Sequence, residues 1–385
     1  MIIITGGVGF IGSHILAALE KVENNIAVVD MFGSDDKWRN VSKRRTTTFI
    51  SPDIIFDFLE KHKKTIKLVL HFGGISSTME RNVDRIVKNN INLSIDLYEF
   101  CIENKIRFIY ASSAATYGNG DMGLVDRDDV EYLDALRPLN AYGWSKYCID
   151  KHIWSINNRN KSQENGVVAL KFFNVYGPNE YHKGSQCSVI YSFYNQLKTG
   201  NSLHLFKSYK TEYKDGEQRR DFVWIEDCVN VVLWMIEHTE VFGIYNVGSG
   251  IPRTFNDIAR IISSTLNREC HIEYIDMPEG LKEQYQYHTQ ADISKLRSIG
   301  YNTPMTSLEK GISEYINNFL NKEYNGTYVS NSAEFAQCLL NQCNVVVIPG
   351  SAFGQEGFIR FSYACSYDDI VKGLEKFKSF VSQVN

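Results

Sequence analysis

The N-terminal run Ile2-Ile3-Ile4-Thr5 breaks into Gly6-Gly7-x-Gly9-x-x-Gly12, and an amphipathic stretch from Phe10 to Lys21 follows directly. A short, wholly apolar strand that turns on glycines into a helix leaves few folds open. Glycines let the main chain turn tightly, and the new helix presents unpaired N–H groups at its start, which suit an anionic pyrophosphate. A second apolar strand, Ile26 to Asp30, ends on a carboxylate 18 residues beyond Gly12. A carboxylate at that point can take the hydroxyls of an adenosine ribose. The context predicts a bound dinucleotide. By charge Asp30 favours NAD, whereas Lys37 and Arg39 close behind it could neutralise the 2′-phosphate of NADP, so both cofactors stay open.

The same alternation continues. Leu68 to His71, Arg107 to Ala111 and Val167 to Phe172 read as strands, with helical patterns at Val83 to Asn104 and after Tyr142. Continuous apolar strands separated by helices predict an α/β fold, a Rossmann-type doubly wound parallel sheet covered on both faces. From Asn174 to Phe222 the chain reads as irregular and aromatic, as a substrate-binding portion laid over the sheet. Helical patterns return at Ile225 to Glu237, Phe255 to Leu266 and Ser307 to Leu320. The expected division is a dinucleotide-binding part over 1–173, a smaller interleaved α/β substrate-binding part over 174–320, and an appendage over 321–385. The appendage reads as a linker from Asn321 to Thr327, then helix (Ala333 to Asn341), strand (Val345 to Ile348), strand (Phe358 to Ala364) and helix (Asp368 to Val381).

Composition excludes several classes of function. A net charge of -4 offers no general attraction to nucleic acid or to an anionic membrane. Lys43-Arg44-Arg45 is short and reads as a solvated loop. No apolar run reaches the roughly 18 residues of a membrane span, and the start lacks a signal peptide's basic region, so a cytoplasmic location is expected. The eight cysteines form no Cys-x-x-Cys pair; no metal site is expected, and reduced thiols fit the same compartment.

Tyr142 and Lys146 stand four residues apart, on one face of a helix. A phenol titrates near 10 and is a poor base at neutral pH, but an adjacent ammonium is expected to stabilise the phenolate. Ser112-Ser113 ends a strand upstream and offers a hydroxyl to a reacting oxygen.

Gly6 to Gly12, Ser113, Tyr142 and Lys146 together resemble the extended short-chain dehydrogenase/reductase superfamily. Within it, Ala111 to Gly118, Phe173 to Pro178, His182-Lys183-Gly184-Ser185, Arg219 to Val223 and Tyr285-x-x-x-Thr289-Gln290-Ala291-Asp292 resemble the ADP-L-glycero-D-manno-heptose 6-epimerases, over residues 1 to about 320. The resemblance implies redox-neutral epimerisation of an ADP-heptose nucleotide sugar with tightly held NADP, in the supply of heptose for lipopolysaccharide, by a homo-oligomer. It assigns Tyr142 and Lys183 as the two acid/base groups, supported by Lys146 and Ser113. Gly6, Gly9, Phe10, Ile11, Gly12, Asp30, Met31, Lys37, Phe72, Gly73, Gly74, Ile75, Ser76, Asn89 and Val175 would line the cofactor. Asn174, Ser185, Ser192, Phe206, Tyr209, Arg220 and Tyr285 would meet the substrate, Arg220 taking the diphosphate. The chain departs from that family's pattern at Ser192, often histidine there, at Met31-Phe32-Gly33, and in the longer loop Ser208 to Gln218. A dehydratase would need carboxylates where Ala114-Ala115 stand; an idle nucleotide-binding module would have no need of the proton-transfer groups.

From about residue 327 the chain resembles instead the C-terminal end of class I aspartate-type aminotransferases, with Arg360 matching the arginine that binds substrate carboxylate there. Nothing upstream resembles a pyridoxal phosphate domain, so no aminotransferase activity is expected. The segment is expected to pack on the preceding part or on a neighbouring subunit, with Arg360 a paired or solvated surface residue.

Overall fold

The computed structural model describes the chain apart from residues 34, 35, 47, 161–165, 281, 283, 284, 321, 325, 326, 330 and 382–385. Its strands up to residue 275 are β1 (Ile2–Thr5), β2 (Ile26–Val29), β3 (Phe49–Ile50), β4 (Leu68–His71), β5 (Arg107–Ser113), β6 (Val168–Phe172), β7 (Asn174–Tyr176), β8 (Ser202–Phe206), β9 (Arg219–Trp224), β10 (Gly243–Val247), β11 (Pro252–Thr254) and β12 (His271–Ile275). Seven form one sheet in the order β10-β6-β5-β4-β1-β2-β3, and all its pairs are parallel. The chain builds outward from β1 through β2 to β3, then crosses back to place β4 on the other side of β1. The strand order therefore reverses between β1 and β4, the point at which sheets of this kind bind ligands at the carboxyl ends of their strands.

Alternate residues of each central strand feed two separate cores. Ile2, Ile4, Val28, Leu68, Leu70 and Ile109 face one, while Ile3, Ala27, Val29, Val69, Phe108 and Tyr110 face the other. Burial on both faces explains why these strands read as unbroken apolar runs. The first core continues without interruption through Phe222, Ile258 and Ile312 to Ile316, so the parts before and after residue 174 share packing.

The stretch from Asn174 to Phe222 is more regular than expected. It holds β7, β8, most of β9 and the helix Val189–Thr199. β9 pairs with β7 and β11 in a three-stranded sheet, and β8 pairs with β12. Strand β10 also escaped sequence reading, being five residues that begin on glycine and carry Tyr245 and Asn246. The helical pattern from Val83 resolves into Val83–Ile86, a π-helical turn Val87–Asn92 and Leu93–Glu103.

Where a linker was expected, Lys322–Tyr324 and Thr327–Val329 pair antiparallel; positions 321, 325 and 326 of that expectation lie outside the described residues. Beyond it come the helices Ser332–Cys343 and Tyr367–Val381, with Ile348–Pro349 antiparallel to Ile359–Arg360. Both strands are shorter than their apolar runs, because Val345 and Val347 turn into a small core with Val329, Leu339 and Phe380 instead of extending a ladder. Nor is Lys43-Arg44-Arg45 simply solvated: Arg44 pairs with Glu20 at 2.9 Å, the Arg45 N–H donates to the same carboxylate, and the Lys43 ammonium lies 4.2 Å from the Phe358 ring centre. Among the described residues no helix is long and apolar enough to cross a membrane.

The turn after β1 depends on the absence of side chains. A Cβ at Gly12 would lie 2.1 Å from the Gly6 carbonyl oxygen, and one at Gly6, whose φ is 70°, would lie 2.5 Å from the Phe72 main chain. Gly12→Ala should therefore cost about 1–3 kcal/mol of stability, read as a lowered melting temperature. A melting temperature equal to that of the unaltered chain would contradict this packing.

Candidate active site

Parallel register brings the strand ends together: Thr5 lies beside Val29 and His71, His71 beside Tyr110, and Ser113 beside Phe172. From these ends a buried polar chain runs to the helix Ala141–Asn160. The Gly73 N–H donates to Thr5 Oγ1 at 3.1 Å, and Thr5 Oγ1 is 2.6 Å from His71 Nδ1. His71 Nε2 is 2.7 Å from Ser94 Oγ, whose single proton goes to the Asn90 carbonyl. Nε2 therefore carries the ring proton, and Nδ1 accepts from Thr5. Burial, together with the Lys146 charge, holds His71 neutral, its pKa pushed down to about 3. The Asn90 side chain clamps both main-chain groups of Ile75, at 2.7 and 2.9 Å, and donates to Ser145 Oγ at 3.0 Å. Ser145 donates to the Tyr142 carbonyl at 2.7 Å.

A second network is centred on Asp150, one turn beyond Lys146 and fully buried. Its carboxylate accepts from Tyr110 OH at 2.9 Å and Ser112 Oγ at 2.7 Å, and pairs with Lys171 Nζ at 2.8 Å. Lys171 also donates to Thr116 Oγ1 at 2.6 Å, and Thr116 donates to the Ser113 carbonyl at 2.8 Å. Asp150 thus ties the helix bearing Tyr142 and Lys146 to the strand end bearing Ser113.

The Ser113 side chain stands by the Tyr142 phenol and favours its ionised form. Burial pushes the phenol above its ordinary value, Ser113 pulls it down, and the Asp150 charge adds to the rise. This corrects the expectation that Lys146 brings the phenol into range: in the protein alone, loss of water around the ring outweighs its neighbours. Burial also pulls the Lys146 ammonium down to about 8, against the opposing charge of Asp150.

Lys183 enters from the turn Tyr181–Gln186. Its ammonium sits 5.3 Å from the Phe10 ring centre, beside the glycine turn, and burial lowers its pKa against the charges of Glu180 and Cys187. Buried Glu180 anchors this loop by accepting from the Ser188 hydroxyl at 2.7 Å. Asn179 Nδ2 donates to Ser13 Oγ at 3.1 Å, and Asn40 Nδ2 reaches the Val8 and Asn179 carbonyls at 3.0 and 3.3 Å.

Of the other expected residues, Asp30 accepts from the Val8 and Met31 N–H groups and from Lys37 Nζ at 2.9, 2.7 and 2.6 Å, and Lys37 also reaches the Met31 carbonyl. Met31 and Ser76 are exposed, Phe72 packs against Phe172, Ile11 packs on the core, and Gly74 abuts Asn90. Asn89 turns onto its own helix, donating to the Arg85 carbonyl, so the neighbouring Asn90 makes the contacts to the Gly73–Ile75 segment.

On the other side, Arg220 is buried, its guanidinium 4.9 Å from the Tyr285 ring centre and 5.9 Å from that of Phe255. Among the described residues its guanidinium makes one hydrogen bond, to the Arg219 carbonyl, and no carboxylate pairs with it. Tyr285 in turn meets the Phe206 ring edge-on. Asn174 and Val175 lie on β7, Asn174 exposed, and Ser185 is exposed on the Lys183 turn. Ser192 is turned to Gln196 within its helix, and Tyr209 is fixed to Asp276 at 2.6 Å and to the Tyr287 hydroxyl by its N–H.

The model of the NAD dependent epimerase/dehydratase family matches residues 2–248. The chain belongs to that family. A relative from Fusobacterium nucleatum subsp. nucleatum, named ADP-L-glycero-D-manno-heptose-6-epimerase, is 42% identical over 333 residues, 84% of this chain and 99% of the relative. A crystal structure of the Helicobacter pylori ADP-L-glycero-D-manno-heptose-6-epimerase matches with a TM-score of 0.66 at 29% identity, over 82% of this chain and 94% of that one. The UDP-N-acetylglucosamine 4-epimerase of Methanobrevibacter ruminantium M1 matches with a TM-score of 0.70 at 28% identity, over 82% and 96%. About a sixth of the chain lies outside each alignment, the share that residues 321–385 make up. A second model, aminotransferase class I and II, matches residues 257–377, starting well before the appendage.

For an NAD dependent epimerase/dehydratase, the residues present fit the dinucleotide. Gly6 and Gly12 let the main chain close into a tight turn that no side chain could enter, the helix Phe10–Leu19 starts there with no side chain capping its first N–H groups, and Asp30 stands beside it.

Two predictions follow from the burial of these charges. Lys171→Met should destabilise the protein by about 3–5 kcal/mol, because it strands a buried carboxylate; a denaturant titration that shows under about 1 kcal/mol would contradict this. For Lys146, the pKa falls from 10.5 unfolded to about 8 folded. Between those values the unfolded chain binds the extra proton, so stability rises with pH. Compared with Lys146→Met, the unaltered chain should gain stability from about pH 8 to pH 10. Parallel stability curves for the two would exclude the shift.

Proposed function

We propose that the chain epimerises ADP-D-glycero-D-manno-heptose to ADP-L-glycero-D-manno-heptose at C6. It acts with bound NADP in cytoplasmic heptose supply for lipopolysaccharide, as a homo-oligomer. In this reading residues 1–173 mainly hold the dinucleotide, 174–320 the sugar nucleotide, and 321–385 are an appendage. The carrying observation is that two proton-transfer groups come from different elements to the carboxyl ends of the parallel strands: Tyr142 by Ser113 at the end of β5, and Lys183 over Phe10 at the start of the helix that follows β1. The names of the relatives support the substrate.

The dinucleotide supplies reversible hydride acceptance. Ser113 and Tyr142 bind the C6 oxygen, and Tyr142 accepts its proton as the alcohol becomes a ketone, with Lys146 in support from the same face of the helix. After the ketone turns its other face, Lys183 returns a proton to the oxygen as C6 is reduced. One group on each side lets the oxygen be served in either orientation. Arg220, buried and without a carboxylate partner among the described residues, binds the diphosphate through its planar fork of donors. Lys37, bonded to Asp30, cancels the charge that would repel a 2′-phosphate and so supports NADP; NAD is the alternative. Against a dehydratase stands the 114–116 turn, where Thr116 is engaged by Lys171 and carboxylates are lacking.

The test is incubation of purified protein with ADP-D-glycero-D-manno-heptose without added cofactor, then separation of the C6 epimers. The L-glycero product is expected. Tyr142→Phe combined with Lys183→Met should abolish its formation while the dinucleotide stays bound. Turnover by that double variant at the unaltered rate would sink the two-base assignment.

A further inference from the structure

The turn Asp36–Val41 carries two functions within six residues. Lys37 bonds to Asp30 and to the Met31 carbonyl. Asn40 holds the Val8 carbonyl of the glycine turn, the Asn179 carbonyl, and at 3.3 Å His182 Nδ1, beside Lys183. Between them stands Trp38, and its indole is not covered by the family fold alone. It lies against Gly354 of the C-terminal segment, where φ is 68° and a Cβ would come within 2.6 Å of the ring. Five residues past Trp38, the Lys43 ammonium lies 4.2 Å from the Phe358 ring centre and would be 3.0 Å from a Cβ on Gly357.

The loop making these contacts is itself held. The Gly350 N–H donates to the Phe358 carbonyl and the Gln355 N–H to the Gly350 carbonyl, each at 2.8 Å. The Glu356 carboxylate accepts from the Ser332 hydroxyl at 3.1 Å and from the Gly357 N–H at 2.9 Å, which fastens the loop to the helix Ser332–Cys343. The Arg360 guanidinium packs at 4.4 Å over Phe353. A pre-ordered loop can restrain what it touches without first being ordered itself.

We infer that residues 350–360 brace the Asp36–Val41 turn, with Trp38 as the positioning residue, and so slow the escape of the dinucleotide from Asp30 and Lys37. The inference rests on the dinucleotide site of the preceding reading. It suits a reaction that oxidises and reduces the same carbon: the dinucleotide ends each cycle in its starting state, so holding it longer does not slow turnover. The arginine that resembles a carboxylate-binding group then serves to stiffen a contact surface.

The experiment uses the full chain with Phe358→Ala and, separately, Gly354→Leu, since a collapse of the C-terminal segment in one still leaves the other readable. NADP and NAD are each bound, and their loss is followed after rapid dilution into a trapping enzyme. Amide exchange is read over 36–41 and over the helix Ile225–Glu237. Exposed ring contacts of this kind predict about three- to tenfold faster dinucleotide loss. Exchange should be faster over 36–41 and unaltered over Ile225–Glu237, with the turnover number at saturating dinucleotide unchanged. Dissociation at the unaltered rate in both variants overturns the brace, as does loosening that extends to Ile225–Glu237. An unaltered chain that binds neither NADP nor NAD would instead fail the dinucleotide reading itself, and the brace with it.

Discussion

The pairing of Asp150 with Lys171, both at or near zero exposure, holds the candidate site together. Removing two charges from water costs more than their attraction returns unless other groups complete their hydrogen bonding. Here Tyr110, Ser112 and Thr116 do so, and each belongs to β5 or the turn just after it. The pair therefore gives one geometry in which helix, strand end and turn are all satisfied. A shift of the helix along the sheet would leave a buried charge with too few partners. Ser113, Tyr142 and Lys146 inherit their relative positions from that constraint.

The His71 chain applies the same logic on the dinucleotide side. A histidine kept neutral by burial can both accept and donate, and it links Thr5, under the glycine turn, to Ser94 and Asn90. Asn90 then reaches in two directions, to the main chain of Ile75 and to Ser145 on the helix of Tyr142. The proposed nucleotide and proton-transfer sites are thus parts of one hydrogen-bonded body, as a transfer of hydride and proton at one carbon requires.

Much of this was legible in the sequence, for physical reasons that differ from place to place. Strands β1, β2 and β4 announced themselves because burial on both faces demands unbroken apolar residues. The glycine turn did so because no other residue fits at 6 and 12. β10 stayed hidden because Tyr245 and Asn246 interrupt a run only five residues long. Within the candidate site, Tyr142 and Lys146 stood out by their spacing on one helix face and Lys183 by motif resemblance, whereas His71, Asn90, Asp150 and Lys171 did not stand out. A lysine inside an apolar strand was itself a signal: Lys171 could be buried only with a partner. Asp150, one turn beyond Lys146, was the carboxylate within reach of that face. The direction of the Tyr142 shift lay beyond sequence, since it depends on how much water the folded chain removes.

The π-helical turn Val87–Asn92 carries one residue more than an α-helix of the same height. That surplus residue sets the phase of everything before it relative to Leu93–Glu103. Losing a single residue there would let the helix become regular and rotate the preceding segment by about 100°. Asn90 would swing away from Ile75 and Ser145, while composition and hydrophobicity stayed nearly the same. The segment thus works as a spacer whose length decides where the Asn90 side chain can reach.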